Sequence, residues 1–119
     1  MKPTRAEIIL IGNDPSLAYL IGRYAERHGW RVEMLPNLPE VKEVWERKPR
    51  LVLFASIEGL ESAQALAHEL VLGDTPVGVC ASASDQVRAQ ELGADLCLLH
   101  PLTYDSFSTV LMGGEPSGA

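Results

Sequence analysis

Apolar residues in this chain fall into two alternating patterns. Short runs occupy 8–11 (Ile8-Ile9-Leu10-Ile11), 32–35, 51–54 (Leu51-Val52-Leu53-Phe54), 77–80 and 96–99. Three of these runs are apolar throughout, the pattern of a parallel strand covered on both faces. The run at 32–35 is broken by Glu33 and preceded by Arg31, which predicts an edge strand.

Between the runs, apolar residues recur at helical spacing. Asp14 is a good N-cap with Pro15 behind it, and Leu17, Leu20, Ile21 and Tyr24 share a face that Gly29 closes. Asn37 and Pro39 predict the start of a second helix that carries Val41, Val44 and Trp45 inward and ends at Pro49, with Glu43 and Arg47 able to pair. A third helix is expected over 59–70, apolar at Leu60, Ala63, Ala67 and Leu70. A fourth runs from a Ser84 cap to Gly93, and a fifth from a Thr103 cap with Tyr104, Phe107 and Leu111 on one face. Five strand–helix units in strict alternation, joined by right-handed crossovers, predict an α/β fold. It is a single doubly wound five-stranded parallel sheet in the flavodoxin-like order 2-1-3-4-5. Residues 1–112 form the domain, and 113–119 read as a disordered tail or the start of a linker.

Composition narrows the function classes. The chain has 119 residues, 46 % of them hydrophobic, enough for one domain with its own core. A net charge of −6 and a pI near 4.9 argue against nucleic-acid binding and against a basic membrane-surface role. No apolar run approaches the length of a membrane span, and residues 1–6 lack the apolar core of a secretory signal. A cytoplasmic location is expected, and Cys80 and Cys97 suit a reducing compartment as inert thiols, with no Cys-x-x-Cys between them.

In such a sheet, ligands bind at the carboxyl ends of the strands, beside the switch in strand order. The residues there are Gly12-Asn13-Asp14, Ala55-Ser56, Ala81-Ser82 and His100-Pro101. There is no Gly-rich phosphate loop, nucleophile elbow or clustered metal-ligand motif. No cofactor and no metal is expected, and no pair of groups suited to acid/base work converges there, so the chain reads as a non-enzyme.

The stretches 8–17, 49–55, 75–81 and above all Gly93-Ala94-Asp95-Leu96-Cys97-Leu98-Leu99-His100-Pro101 resemble response-regulator receiver domains over about residues 6–112. The resemblance implies phosphoryl transfer to an aspartate. It needs an acidic pair holding Mg²⁺, an acceptor Asp, a Ser/Thr and a Lys that bind phosphoryl oxygens, and an aromatic switch residue. At the matching positions this sequence has Gly12 and Asn13, Ala55, Ala81, His100 and Cys97. Asp14 stands one place too late for the pair. The connections after Ala55 and between Ala81 and Gly93 look shorter than the family's. The resemblance also allows a cis bond at His100-Pro101.

The residues left at these positions have plain structural roles available. Asp14 can cap the first helix, Ser56 and Ser82 can cap or turn loops, and His100 can fill the lysine slot without binding an anion. The pattern therefore points to a degenerate receiver, a pseudo-receiver acting by phosphorylation-independent protein–protein contact. The partner would be a signalling protein or an output domain, with homodimerisation a second option. The resemblance places the contact face on the fourth helix, fifth strand and fifth helix, at Val87, Gln90, Glu91, Leu96, Tyr104 and Ser108. The alternative is a small-molecule sensor using the space left beside Gly12, Ala55, Ala81 and His100.

Overall fold

The computed structural model describes residues 6–111; the tail expected at 113–119 and the first five residues lie outside the described part. Five strands, β1 (Ile8–Ile11), β2 (Val32–Leu35), β3 (Leu51–Phe54), β4 (Val77–Ala81) and β5 (Leu96–Leu99), form one parallel sheet in the order β2-β1-β3-β4-β5. The expected fold class is the observed one. β1, β3 and β4 are buried along their whole length, because helices cover both faces of the sheet.

Alternate residues of each strand feed two separate cores. Ile8, Leu10, Leu51, Leu53, Cys80 and Leu98 face α1 (Pro15–Glu26) and α6 (Tyr104–Leu111), meeting Leu17, Ile21, Ala25 and Phe107. Ile9, Ile11, Val52, Phe54, Val77 and Val79 face the other layer, meeting Val44, Leu60, Leu66, Leu70 and Ala89. That layer is α2 (Val41–Glu46), α3 (Ile57–Glu61), α4 (Gln64–Leu72) and α5 (Gln86–Glu91). A one-residue slip in any strand would exchange these two sets. Gly78 lets β5 close on β4: a Cβ there would stand 2.3 Å from Leu96 Cδ1 and 2.8 Å from Leu53 Cδ2.

Local chemistry sets the element ends. Asp14 Oδ1 accepts the Leu17 N–H at 3.1 Å and Pro15 follows, so α1 starts where expected. It ends with Gly29 at φ +74, where Gly29 N–H donates to Glu26 O and Trp30 N–H to Ala25 O. Thr103 Oγ1 accepts the Ser106 N–H at 3.2 Å and opens α6, whose Phe107 is buried and Tyr104 half-buried; the Leu111 side chain lies outside the described part. β2 is the expected edge strand, and its Glu33 pairs with Arg47 at 2.9 Å. That hydrogen bond holds the Arg47 guanidinium above its ordinary pKa against a smaller lowering by burial. Arg47 also reaches Glu43, the pair expected on the second helix, at 3.8 Å.

Four element readings are corrected. α2 begins at Val41 rather than near Asn37, because Glu40 is still extended (φ −84, ψ 155) and no side chain caps the helix. Trp45 does not point inward: it is 43 % exposed, and its ring lies over Gly73, where a Cβ would meet Cζ2 at 2.6 Å. The helix expected over 59–70 is two, starting at Ile57 and broken at Ser62 and Ala63. Ser62 Oγ donates to the carbonyls of Glu58 and Gly59, and such side-chain bonds to the backbone compete with helix continuation. The cap expected at Ser84 does not form: Ser84 lies inside a 3₁₀ turn over Ala83–Asp85, and the six-residue α5 that follows has Asp85 at its N-cap position with no side-chain cap hydrogen bond.

Candidate functional site

The carboxyl ends of the strands bring the expected site residues to one rim of the sheet. Gly12 follows β1, Ala55 follows β3, Ala81 closes β4 and His100 follows β5. The backbone knits them together: Gly12 N–H donates to Leu35 O, Ala55 N–H to Ile11 O, and His100 N–H to Ala81 O at 3.0 Å. The His100-Pro101 peptide is cis.

At the centre of the rim, Gly12 and Ala55 are in contact. Gly12 has φ +136, a conformation that glycine adopts freely, and a Cβ built on it would stand 2.7 Å from the Ala55 Cβ. Ala81 beside them is 5 % exposed. A side chain at position 12 would therefore have to displace the Ala55 methyl.

The polar residues of the rim are committed to local structure. Asp14 is the α1 cap already described. Ser56 Oγ accepts the Gly59 N–H at 3.1 Å and caps α3. Ser82 Oγ lies 2.9 Å from Ser84 Oγ and donates to Asp85 Oδ2 at 3.2 Å. Asn13 and His100 are exposed. This donor set does not fit Mg²⁺, which is held through carboxylates: among Gly12, Asn13, Asp14, Ala55, Ala81 and His100, Asp14 alone carries one, and it already accepts a backbone N–H. Among the described residues, no three His, Cys, Asp or Glu side chains converge as metal ligands.

Cys80 and Cys97 lie on neighbouring strands but on opposite faces of the sheet. Cys80 pairs in register with Leu98 and Cys97 with Val79, so the thiols enter different cores and do not form a redox pair. Burial, then the neighbouring Cys97 and Asp14, push the Cys80 thiol up to about 12. Burial and then Asp85 also raise the Cys97 thiol. Raised thiols are poor nucleophiles at neutral pH, consistent with inert side chains.

The six residues expected on a contact face divide between two places. Val87 (67 % exposed), Gln90 and Glu91 stand outward on α5. Leu96 is half-buried, with its side chain packed over Gly78. Tyr104 and Ser108 turn toward α1: Tyr104 Oη lies 3.2 Å from His28 Nε2, and Ser108 Oγ lies 3.5 Å from the same nitrogen. The His28 and Tyr104 rings stack at 5.9 Å, and Tyr24 meets Tyr104 edge-on at 5.5 Å. Tyr104 and Ser108 therefore belong to the α1–α6 seam and not to an open face shared with α5.

The sequence reading passed over the outer side of that seam. Tyr19, Arg23 and Arg27 follow at intervals of four along α1, a spacing that would have marked them as one stripe. Arg23 donates to Tyr19 Oη at 2.8 Å, and the Arg27 guanidinium lies 4.4 Å over the Tyr104 ring.

No family model and no curated protein matches the chain by sequence. Solved structures match it closely in shape. The Vibrio cholerae chemotaxis protein CheY4 is 14 % identical with a TM-score of 0.71, over 94 % of this chain and 100 % of that one. The receiver domain of NtrX from Brucella abortus is 18 % identical with a TM-score of 0.67, over 93 % and 99 % of the two chains. A response-regulator receiver domain from Bermanella marisrubri is 20 % identical with a TM-score of 0.68, over 89 % and 94 %. No helix among the described residues is long and apolar enough to cross a membrane. At these identities the likeness is one of architecture, and it gives the chain the fold of a response-regulator receiver domain.

Proposed function

We propose that this chain is a receiver-type signalling module that has lost the phosphoacceptor aspartate and the Mg²⁺ site, and that acts by phosphorylation-independent contact with a protein partner. It works in the cytoplasm, catalyses no reaction and needs no cofactor. The observation that carries the reading is the contact of Gly12 with Ala55 at the centre of the rim. A methyl group cannot accept a phosphoryl group, and a carboxylate-bearing residue at position 12 would have to displace it. The commitment of Asp14, Ser56 and Ser82 to caps and turns supports the same reading.

In phosphoryl transfer, catalysis rests on positioning and on neutralising charge around an in-line displacement. At the acceptor and lysine positions the rim has Ala55 and His100 in place of an aspartate and a lysine, so partner binding itself must shift any conformational population. The exposed α5 residues Val87, Gln90 and Glu91 are the part of the expected contact face that remains open to a partner. Incubation with acetyl phosphate and Mg²⁺, read by intact mass, is expected to leave the chain unmodified; a phosphoryl adduct would overturn the proposal. Cross-linking in cells of origin is expected to capture a protein partner across a defined face of the domain.

A further inference from the structure

Charge is distributed unevenly along this chain. Up to Arg50 the described acidic and basic residues balance, whereas after Arg50 the one Lys or Arg is Arg88, already paired with Glu61. The sheet order places the first half of the chain on the β2–β1 side and most of the second half on the β3–β4–β5 side. The outer stripe of α1, with Arg23 and Arg27, lies on the side of the sheet that carries the balanced half of the chain, in a molecule of net charge −6.

The stripe is also built as a receptor. A cavity of about 380 Å³ is lined by Tyr19, Leu20, Arg23, Tyr24, Glu26 and Arg27. Its aromatic floor is fixed from below, with the Tyr24 ring 5.6 Å from buried Phe107 and 5.5 Å from Tyr104. Tyr19 is 65 % exposed at one end. Neither Arg23 nor Arg27 has a carboxylate partner among the described residues. Each rests on a tyrosine ring instead, at 5.7 Å and 4.4 Å. Stacking limits their rotamers, and apart from the one bond from Arg23 to Tyr19 Oη their N–H groups are available to a carboxylate.

We infer that the α1 groove docks an acidic polypeptide segment, whose carboxylates meet Arg23 and Arg27 and whose apolar side chain enters the cavity beside Tyr24. This rests on the protein-contact reading above and names a surface for it. Charge complementarity selects the occupant. Nucleic acid needs a wider basic field than two arginines flanking Glu26 in a chain of net charge −6. A second copy laid with its acidic half on this stripe would make a head-to-tail contact, which closes only at particular rotations and otherwise polymerises.

The test uses the full chain, ¹⁵N-labelled, titrated with a short fluorescein-labelled peptide of glutamate and leucine. Binding that weakens with added salt is expected, with amide shifts centred on Tyr19, Arg23, Tyr24 and Arg27. Arg23→Gln and Arg27→Gln are expected to weaken it by roughly tenfold each, as for a lost charged hydrogen bond, and the exposed-residue variant Leu72→Ser to leave it unchanged. Absence of binding, shifts centred elsewhere, indifference to the arginine variants, equal affinity for oligothymidylate or for a lysine–leucine peptide, or concentration-dependent polymers on sedimentation would each overturn the inference. A cellular partner cross-linked only to α5 would overturn this surface while leaving the protein-contact function intact.

Discussion

Gly12 and Ala55 abut at the carboxyl ends of the neighbouring strands β1 and β3, leaving 2.7 Å between the Ala55 Cβ and the place where a Gly12 Cβ would stand. Gly12→Ala would bring both this clash and an alanine at φ +136. The variant is expected to lose about 1–3 kcal/mol, the range for overpacking or a strained backbone position. Urea denaturation followed by circular dichroism measures it; an unchanged midpoint would mean that the contact is slack.

Restoring a carboxylate alone will not restore phosphorylation. Ala55→Asp returns a nucleophile to the end of β3 but leaves Gly12 and Asn13 without charge and Asp14 bound to the Leu17 N–H. Intact mass after acetyl phosphate and Mg²⁺ is expected to show no adduct on this variant. An adduct would show that the rim assembles a metal site from groups that are otherwise engaged.

Cys80 makes stability depend on alkaline pH. Its folded thiol is pushed up to about 12, whereas an unfolded cysteine ionises near about 8.5. The unfolded state therefore releases this proton first. The contribution is intact below about pH 8.5 and declines as pH climbs toward about 12. Denaturation midpoints at about pH 7 and about pH 10 are expected to fall in the parent and to fall less in Cys80→Ala. In the native protein, iodoacetamide is expected to modify half-exposed Cys97 before buried Cys80; equal rates would contradict the two-sided placement of the thiols.

His28 ties the end of α1 to α6. His28→Ala removes a hydrogen bond to Tyr104 and a stacked ring, and is expected to cost about 1 kcal/mol. Thermal unfolding measures the loss. Tyr104→Phe, which keeps the stack and drops the hydroxyl, is expected to lose less.

Much of the fold could be read directly from the chain. A strand buried on both faces must be apolar throughout, so β1, β3 and β4 announce themselves, and Asp14-Pro15 and Gly29 mark both ends of α1 by their own chemistry. The misplaced features depend on distant partners. Trp45 turns outward because Gly73 receives its ring. Tyr104 and Ser108 turn toward α1 because His28, 76 and 80 residues away, holds their hydroxyls. The break after Glu61 is set by a single serine hydroxyl, whose choice of acceptor helical periodicity does not encode. At the rim, the positions of Gly12, Ala55, Ala81 and His100 could be placed from sequence, but not the fact that the first two touch.

The division of charge between the two sides of the sheet acts before any surface is touched. A molecule whose basic residues gather on one flank carries a dipole, and a charged partner approaching within a Debye length experiences a torque as well as an attraction. An acidic partner is turned toward the α1 flank and a basic one toward the opposite flank. The two approaches are sorted in the encounter complex, and raising ionic strength would erase that sorting before it weakened packing in either core.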